Sequence, residues 1–124
     1  MTPGARIQSA IDLLEQILTS WQSEKRFPAD KQIDAYFKGN RFIGSKDRAY
    51  IGEMVYWCLR HKAMLEWYLA DCLPNHALLA REYVLAALAL RRQYDERSID
   101  GISSDGKYCP RALSADEKKM FATL

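Results

Sequence analysis

The sequence has 124 residues, 48% hydrophobic and 27% charged, with 6 Gly and 4 Pro. That composition excludes disordered and fibrous classes and leaves room for one modest core. Net charge is +2 from 18 basic and 16 acidic residues, no apolar run approaches the ~18 residues that span a bilayer, and three cysteines without a short-spaced framework argue against a disulfide scaffold. The start, "MTPGARIQSAIDLLEQ", is amphipathic and lacks a signal-peptide core, so the expectation is a cytoplasmic protein with no membrane partner.

A helical stripe (Ile7, Ala10, Ile11, Leu14, Ile17, Leu18, Trp21) predicts a first helix from Pro3 to about Ser20, with Thr2 as N-cap and Pro3 at its first position. "SEKRFPAD" breaks the pattern, and "DKQIDAYFK" predicts a short second helix capped by Asp30, burying Ile33, Tyr36 and Phe37, and ended by Gly39 and Asn40. The third helix runs from a Ser45 cap to about Arg60, with apolar residues around more than one face, which predicts a central position. Gly52 inside it predicts a close backbone neighbour. A fourth helix covers about Ala63 to Cys72 and is stopped by Pro74; a fifth covers about His76 to Tyr94. Residues 95–113 show no periodicity and read as a loop, after which "SADE", Ser114 to Glu117, is a capping box opening a last helix. The chain stops at Leu124 inside that helix's expected length, which predicts a piece of a longer protein. With no repeat and no strand pattern, the predicted fold is an all-α compact bundle of five to six helices. Its helical domain covers residues 1–94, and residues 95–124 form a loop and the start of a further helix.

Charge is concentrated in one stretch. Residues 38–62 carry Lys38, Arg41, Lys46, Arg48, Arg60 and Lys62 against Asp47 and Glu53, a net of +4. Within it, "GNRFIGSKDR" resembles a phosphate-cradling G-x-x-x-x-G-K-[ST] loop, but Ser45 and Lys46 are transposed and a helix, not a strand, precedes Gly39. The glycines are better explained as helix punctuation. Lys46 and Arg48 are not, because cations in a helix's first turn oppose its macrodipole. An external phosphate would relieve the mismatch, so Ser45, Lys46 and Arg48 form a candidate backbone-phosphate site. Phe42 is the one aromatic kept as a possible base-stacking residue. Trp21, Tyr36, Phe37, Trp57, Trp67 and Tyr83 fall at helical spacing and are assigned to the core. Cys58, His61, Cys72 and His76 lack the paired spacing of zinc knuckles, and Cys109 has no His nearby to act as its base. No metal site or catalytic residue is assigned.

The segment "RFIGSKDRAYIGEMVYWCLRHKAMLEWYL", residues 41–69, resembles the N-terminal NusB-like RNA-binding domain of the Fmu/Sun (RsmB-type) ribosomal RNA cytosine-C5 methyltransferases. There a basic residue, an aromatic and a Gly precede "KDR", and the helix body reads (I/L)-x-x-(L/M)-V-Y-x-x-L-R. "TPGARIQSAIDLLEQIL" and "DGKYCPRALSADEKKMFATL" resemble the same domain's opening and its bridge toward the next domain. The resemblance implies an all-helical module that binds ribosomal RNA and accompanies a methyltransferase domain using S-adenosylmethionine. That catalytic domain is absent here: Cys109 precedes its proline, where the family's catalytic motif is P-C, so this chain is not expected to transfer methyl groups. By position the RNA contacts map onto Lys38, Arg41, Phe42, Ser45, Lys46, Arg48, Arg60 and Lys62. The alternatives are a helical module docking on its own methyltransferase domain or a ribosomal protein, and a free-standing antitermination factor of the NusB kind.

Overall fold

Thr2 and Pro3 open the first helix as their chemistry dictates: the Thr2 hydroxyl accepts from the Ala5 amide at 3.1 Å, and Pro3 occupies a position whose N–H has no helical acceptor. The computed structural model describes residues 1–23, 28–73, 78–94, 98–99 and 109–124. Among them it holds six helices and no strand: α1 (Pro3–Gln22), α2 (Ala29–Gly39), α3 (Ser45–Arg60), α4 (Lys62–Cys72), α5 (Ala80–Leu90) and α6 (Ala115–Thr123). The predicted all-α bundle is what forms.

Its centre is α5, not the expected α3. Every residue from Ala80 to Ala89 is buried, and Ala80, Ala86, Ala87 and Ala89 leave room for α1, α3, α4 and α6 to approach. Helix α3 instead keeps an exposed stripe of Ser45, Lys46, Ala49, Glu53, Tyr56 and Arg60 while burying Ile51, Met54, Val55 and Cys58. Its many apolar residues misled because Tyr56 lies outward and Tyr50, Trp57 and Leu59 are only half-buried. A Cβ on Gly52 would meet nothing within 4 Å, so the expected close backbone is not there.

The caps differ from expectation in a consistent way. Pro28 precedes α2 and Asp30 sits inside its first turn; Gly44 precedes α3, Ser45 is its first helical residue, and no side chain caps it. Helix α5 begins at Ala80, where the Leu79 amide donates to the Glu82 carboxylate at 2.7 Å; the predicted start at His76 and the stop at Pro74 lie outside the described residues. It ends at Leu90 instead of Tyr94 because Arg92 turns left-handed, with φ 55°, so that the Arg92 amide reaches Ala89 O at 3.1 Å and the Gln93 amide reaches Leu88 O at 3.1 Å. This is the usual helix-terminating bond pair with Arg where Gly is preferred.

Most of the predicted 95–113 loop lies outside the described residues, but Ser98 and Ile99 are helical where a loop was expected, and Ile99, Pro110 and Leu113 are buried. At its end the capping box forms as expected: Ser114 Oγ accepts from the Glu117 amide at 3.2 Å and the Ser114 amide donates to Glu117 at 2.8 Å. Glu117 also receives Arg81, Nε at 2.7 Å and Nη2 at 3.1 Å, while the same Nη2 donates to Arg111 O at 2.9 Å. Met120 and Phe121 are buried, so α6 belongs to the same core, packed on α4 and α5.

Candidate nucleic-acid interface

The turn between α2 and α3 is held from inside. Ile43 is buried at 2% exposure while its neighbour Phe42 is 78% exposed, so two consecutive apolar residues go to opposite sides. Asn40 Nδ2 donates back to Tyr36 O at 2.8 Å, the Ile43 amide bonds Asn40 O at 3.1 Å, and Arg48 Nε donates to Ile43 O at 2.7 Å. The Arg48 guanidinium also lies 5.7 Å from the Phe37 ring centre. Arg48 is therefore a brace for the turn, and its charge is partly used by the fold.

Lys38, Arg41, Phe42, Ser45 and Lys46 are exposed on this turn and the helix ends beside it. The first backbone bond into α3 is the Arg48 amide to Gly44 O, so the amides of Ser45 and Lys46 precede the helical ladder and open the positive end of the dipole. Arg60 and Lys62 lie elsewhere. They bracket the far end of α3, about 22 Å from Ser45 at 1.5 Å per residue. Lys62 is further committed: its ammonium binds Glu66 and stands 5.8 Å from the Tyr83 ring centre. That bond, with one from the Tyr83 hydroxyl, holds the Glu66 carboxyl below the usual range despite partial burial. The basic stretch thus resolves into two ends of one helix rather than a single patch.

Asp47 does not cancel the exposed cations. Its carboxylate faces α1, 3.8 Å from the Met1 ammonium and 3.8 Å from Arg6 Nε, and Arg6 in turn covers the Tyr50 ring at 4.6 Å. On that side a cleft of about 790 Å³ runs past Thr2, Gln8, Asp12, Tyr36, Phe42 and Asp47. Two of its lining residues, Asp12 and Asp47, carry carboxylates, and the Met1 ammonium stands beside Asp47.

Other candidates behave as core or stay apart. Cys58 is buried, its thiol 3.8 Å from Tyr83 O, and burial pushes its pKa up to about 12, which leaves an unreactive thiol. Cys109 lies 3.9 Å from the Thr2 hydroxyl. Among the described residues no three His, Cys, Asp or Glu converge as metal ligands would; His76 lies outside them. Trp67, assigned to the core by spacing, is 67% exposed, while Tyr83 is buried and Trp21, Tyr36, Phe37 and Trp57 are half-buried. Sequence reasoning missed Ile43, Arg6 and Arg81. A lone Arg at the head of the apolar run "AREYVLAALAL" was the available signal for Arg81, since such a charge needs a partner.

Compared with known proteins, the chain matches no family model, no curated protein and no solved structure.

Proposed function

We propose that this chain is an RNA-binding domain of the NusB-like kind that serves ribosomal RNA cytosine-C5 methyltransferases, holding RNA by its backbone phosphates at the α2–α3 turn. One observation carries the proposal: Arg41 and Lys46 are exposed, without an ion-pair partner among the described residues, beside an uncapped helix N-terminus. Lys46 in the first turn costs the isolated helix some tenths of a kcal/mol, and a phosphate turns that cost into attraction. Phe42 offers its face to an unpaired base next to the phosphate track. The chain's part in methylation is then positioning, with S-adenosylmethionine and the catalytic Cys supplied by a separate methyltransferase domain. Lys38 adds charge at the rim, whereas Arg60 and Lys62 are too far along α3 to share one contact.

Fluorescence anisotropy with a labelled single-stranded ribosomal RNA fragment tests this. Arg41→Glu with Lys46→Glu is expected to remove binding and Arg60→Glu to leave it nearly unchanged, both with wild-type circular dichroism. Equal losses from the two ends of α3, or none from the turn, would contradict the proposal.

A further inference from the structure

Helix α4 presents an apolar strip that the bundle leaves uncovered. Met64 is 38% and Trp67 67% exposed, with Ala63 and Ala70 exposed beside them, at the spacing that lines one side of a helix. The opposite side, Leu65 and Leu69, is already fully buried. Trp67 meets the Tyr68 ring edge-on at 5.0 Å between centroids, so part of its ordering precedes any partner. An exposed, braced Trp at the middle of a helix is a surface suited to an interface anchor.

The strip also has a charge polarity. Arg60 stands just before its start and Asp71 at its end, both exposed and neither in an ion pair among the described residues. At that end Asp71 opposes the macrodipole of its own helix. We infer that α4 pairs with α4 of a second copy, antiparallel, about a two-fold axis at Trp67. Trp67 is the midpoint of Lys62–Cys72, so this axis brings the two strips into register with the indoles at the centre. Each Asp71 then reaches the positive N-terminal end of the other α4 and its Arg60. A parallel pairing would oppose Asp71 to Asp71. Only the antiparallel arrangement makes the patch complementary to itself, which an isologous interface requires. With 11 residues the helix is only about 16 Å long, short of a standard interface, so the dimer is weak and concentration-dependent.

Sedimentation velocity over a wide range of protein concentration tests the pairing. The wild type is expected to shift from monomer toward dimer as concentration rises. Trp67→Ala abolishes the shift while circular dichroism and melting stay unchanged. Asp71→Lys weakens the dimer several-fold without harming the monomer, because it relieves the dipole mismatch. Arg60→Glu with Asp71→Lys recovers part of the lost dimer, because it restores the ion pair with its signs exchanged while the N-terminal end of the other α4 still opposes the lysine. A monomer at every concentration, or a dimer indifferent to Trp67→Ala, overturns the pairing; a dimer indifferent to Asp71→Lys overturns its antiparallel orientation.

Discussion

Arg81 in the first turn of α5 and Lys46 in the first turn of α3, with Arg41 in the turn before it, are cations treated in opposite ways. Arg81, in the first turn of α5, is buried at 6% exposure and donates to both Glu117 oxygens and to Arg111 O. Arg41 and Lys46, around the start of α3, are exposed and bond to no side chain of the described residues. Where the fold needs a cation it surrounds it with acceptors, as a buried charge demands. Of the cations it does not use, Lys46 stands in solvent at a helix end that disfavours it, and Arg41 stands in the turn before that helix. The difference teaches which charges are available to a ligand, and it is read from partners rather than from charge density.

The comparison breaks most sharply at Arg81. Arg81→Met leaves the buried Glu117 carboxylate without its guanidinium and is expected to destabilise by about 3–5 kcal/mol, measured by urea unfolding. Adding Glu117→Met should recover most of that loss, because it removes the stranded charge as well. The same pair sets an acid limit. Burial acts to raise the Glu117 pKa, but the bonds from Arg81 and the Ser114 amide, with the nearby Arg111 charge, hold it below the usual range. A group with a depressed folded pKa contributes its full stabilisation above its unfolded value of about 4.3 and loses it as pH falls through the folded value. Unfolding free energy should therefore drop below about pH 4.3, and that drop should shrink in the Arg81→Met, Glu117→Met double variant.

Arg48 tests the middle of the scale. Arg48→Ala removes the bond to Ile43 O and the contact with Phe37, for an expected loss of about 1–2 kcal/mol seen in thermal melts, and it should weaken RNA binding only through a loosened turn. The smallest expected effect on stability is at Lys46. Lys46→Glu places a favourable charge at the α3 start and should stabilise by some tenths of a kcal/mol, while lowering RNA affinity. A variant more stable and yet less active separates a ligand-facing cation from a structural one.

Much of this was legible in the sequence, for reasons visible at single residues. Thr2–Pro3 and Ser114–Glu117 are local motifs whose bonding partners lie within a few positions, and both form as read. The last helical residue of α2 is Gly39, with Asn40 next, as the turn chemistry indicated. What failed depended on distant partners. Spacing places Trp67 on a helix but cannot say whether another helix covers it, and it is exposed. The small residues of α5 looked ordinary in sequence, yet they let four helices meet around it. In the candidate site, sequence joined Arg60 and Lys62 to the residues of the α2–α3 turn, since proximity in number hides the length of α3. It also counted Arg48 as free, because the carbonyl it holds belongs to Ile43, whose burial no periodicity marks.

The central claim is that the cations of the α2–α3 turn hold phosphate. Its most direct test is the salt dependence of RNA affinity for the wild type and for Arg41→Gln with Lys46→Gln. Each phosphate neutralised on a single strand contributes a slope of about −0.7 in log K against log salt, so losing two contacts should flatten the plot by about 1.4. Parallel lines for the two proteins would contradict the claim.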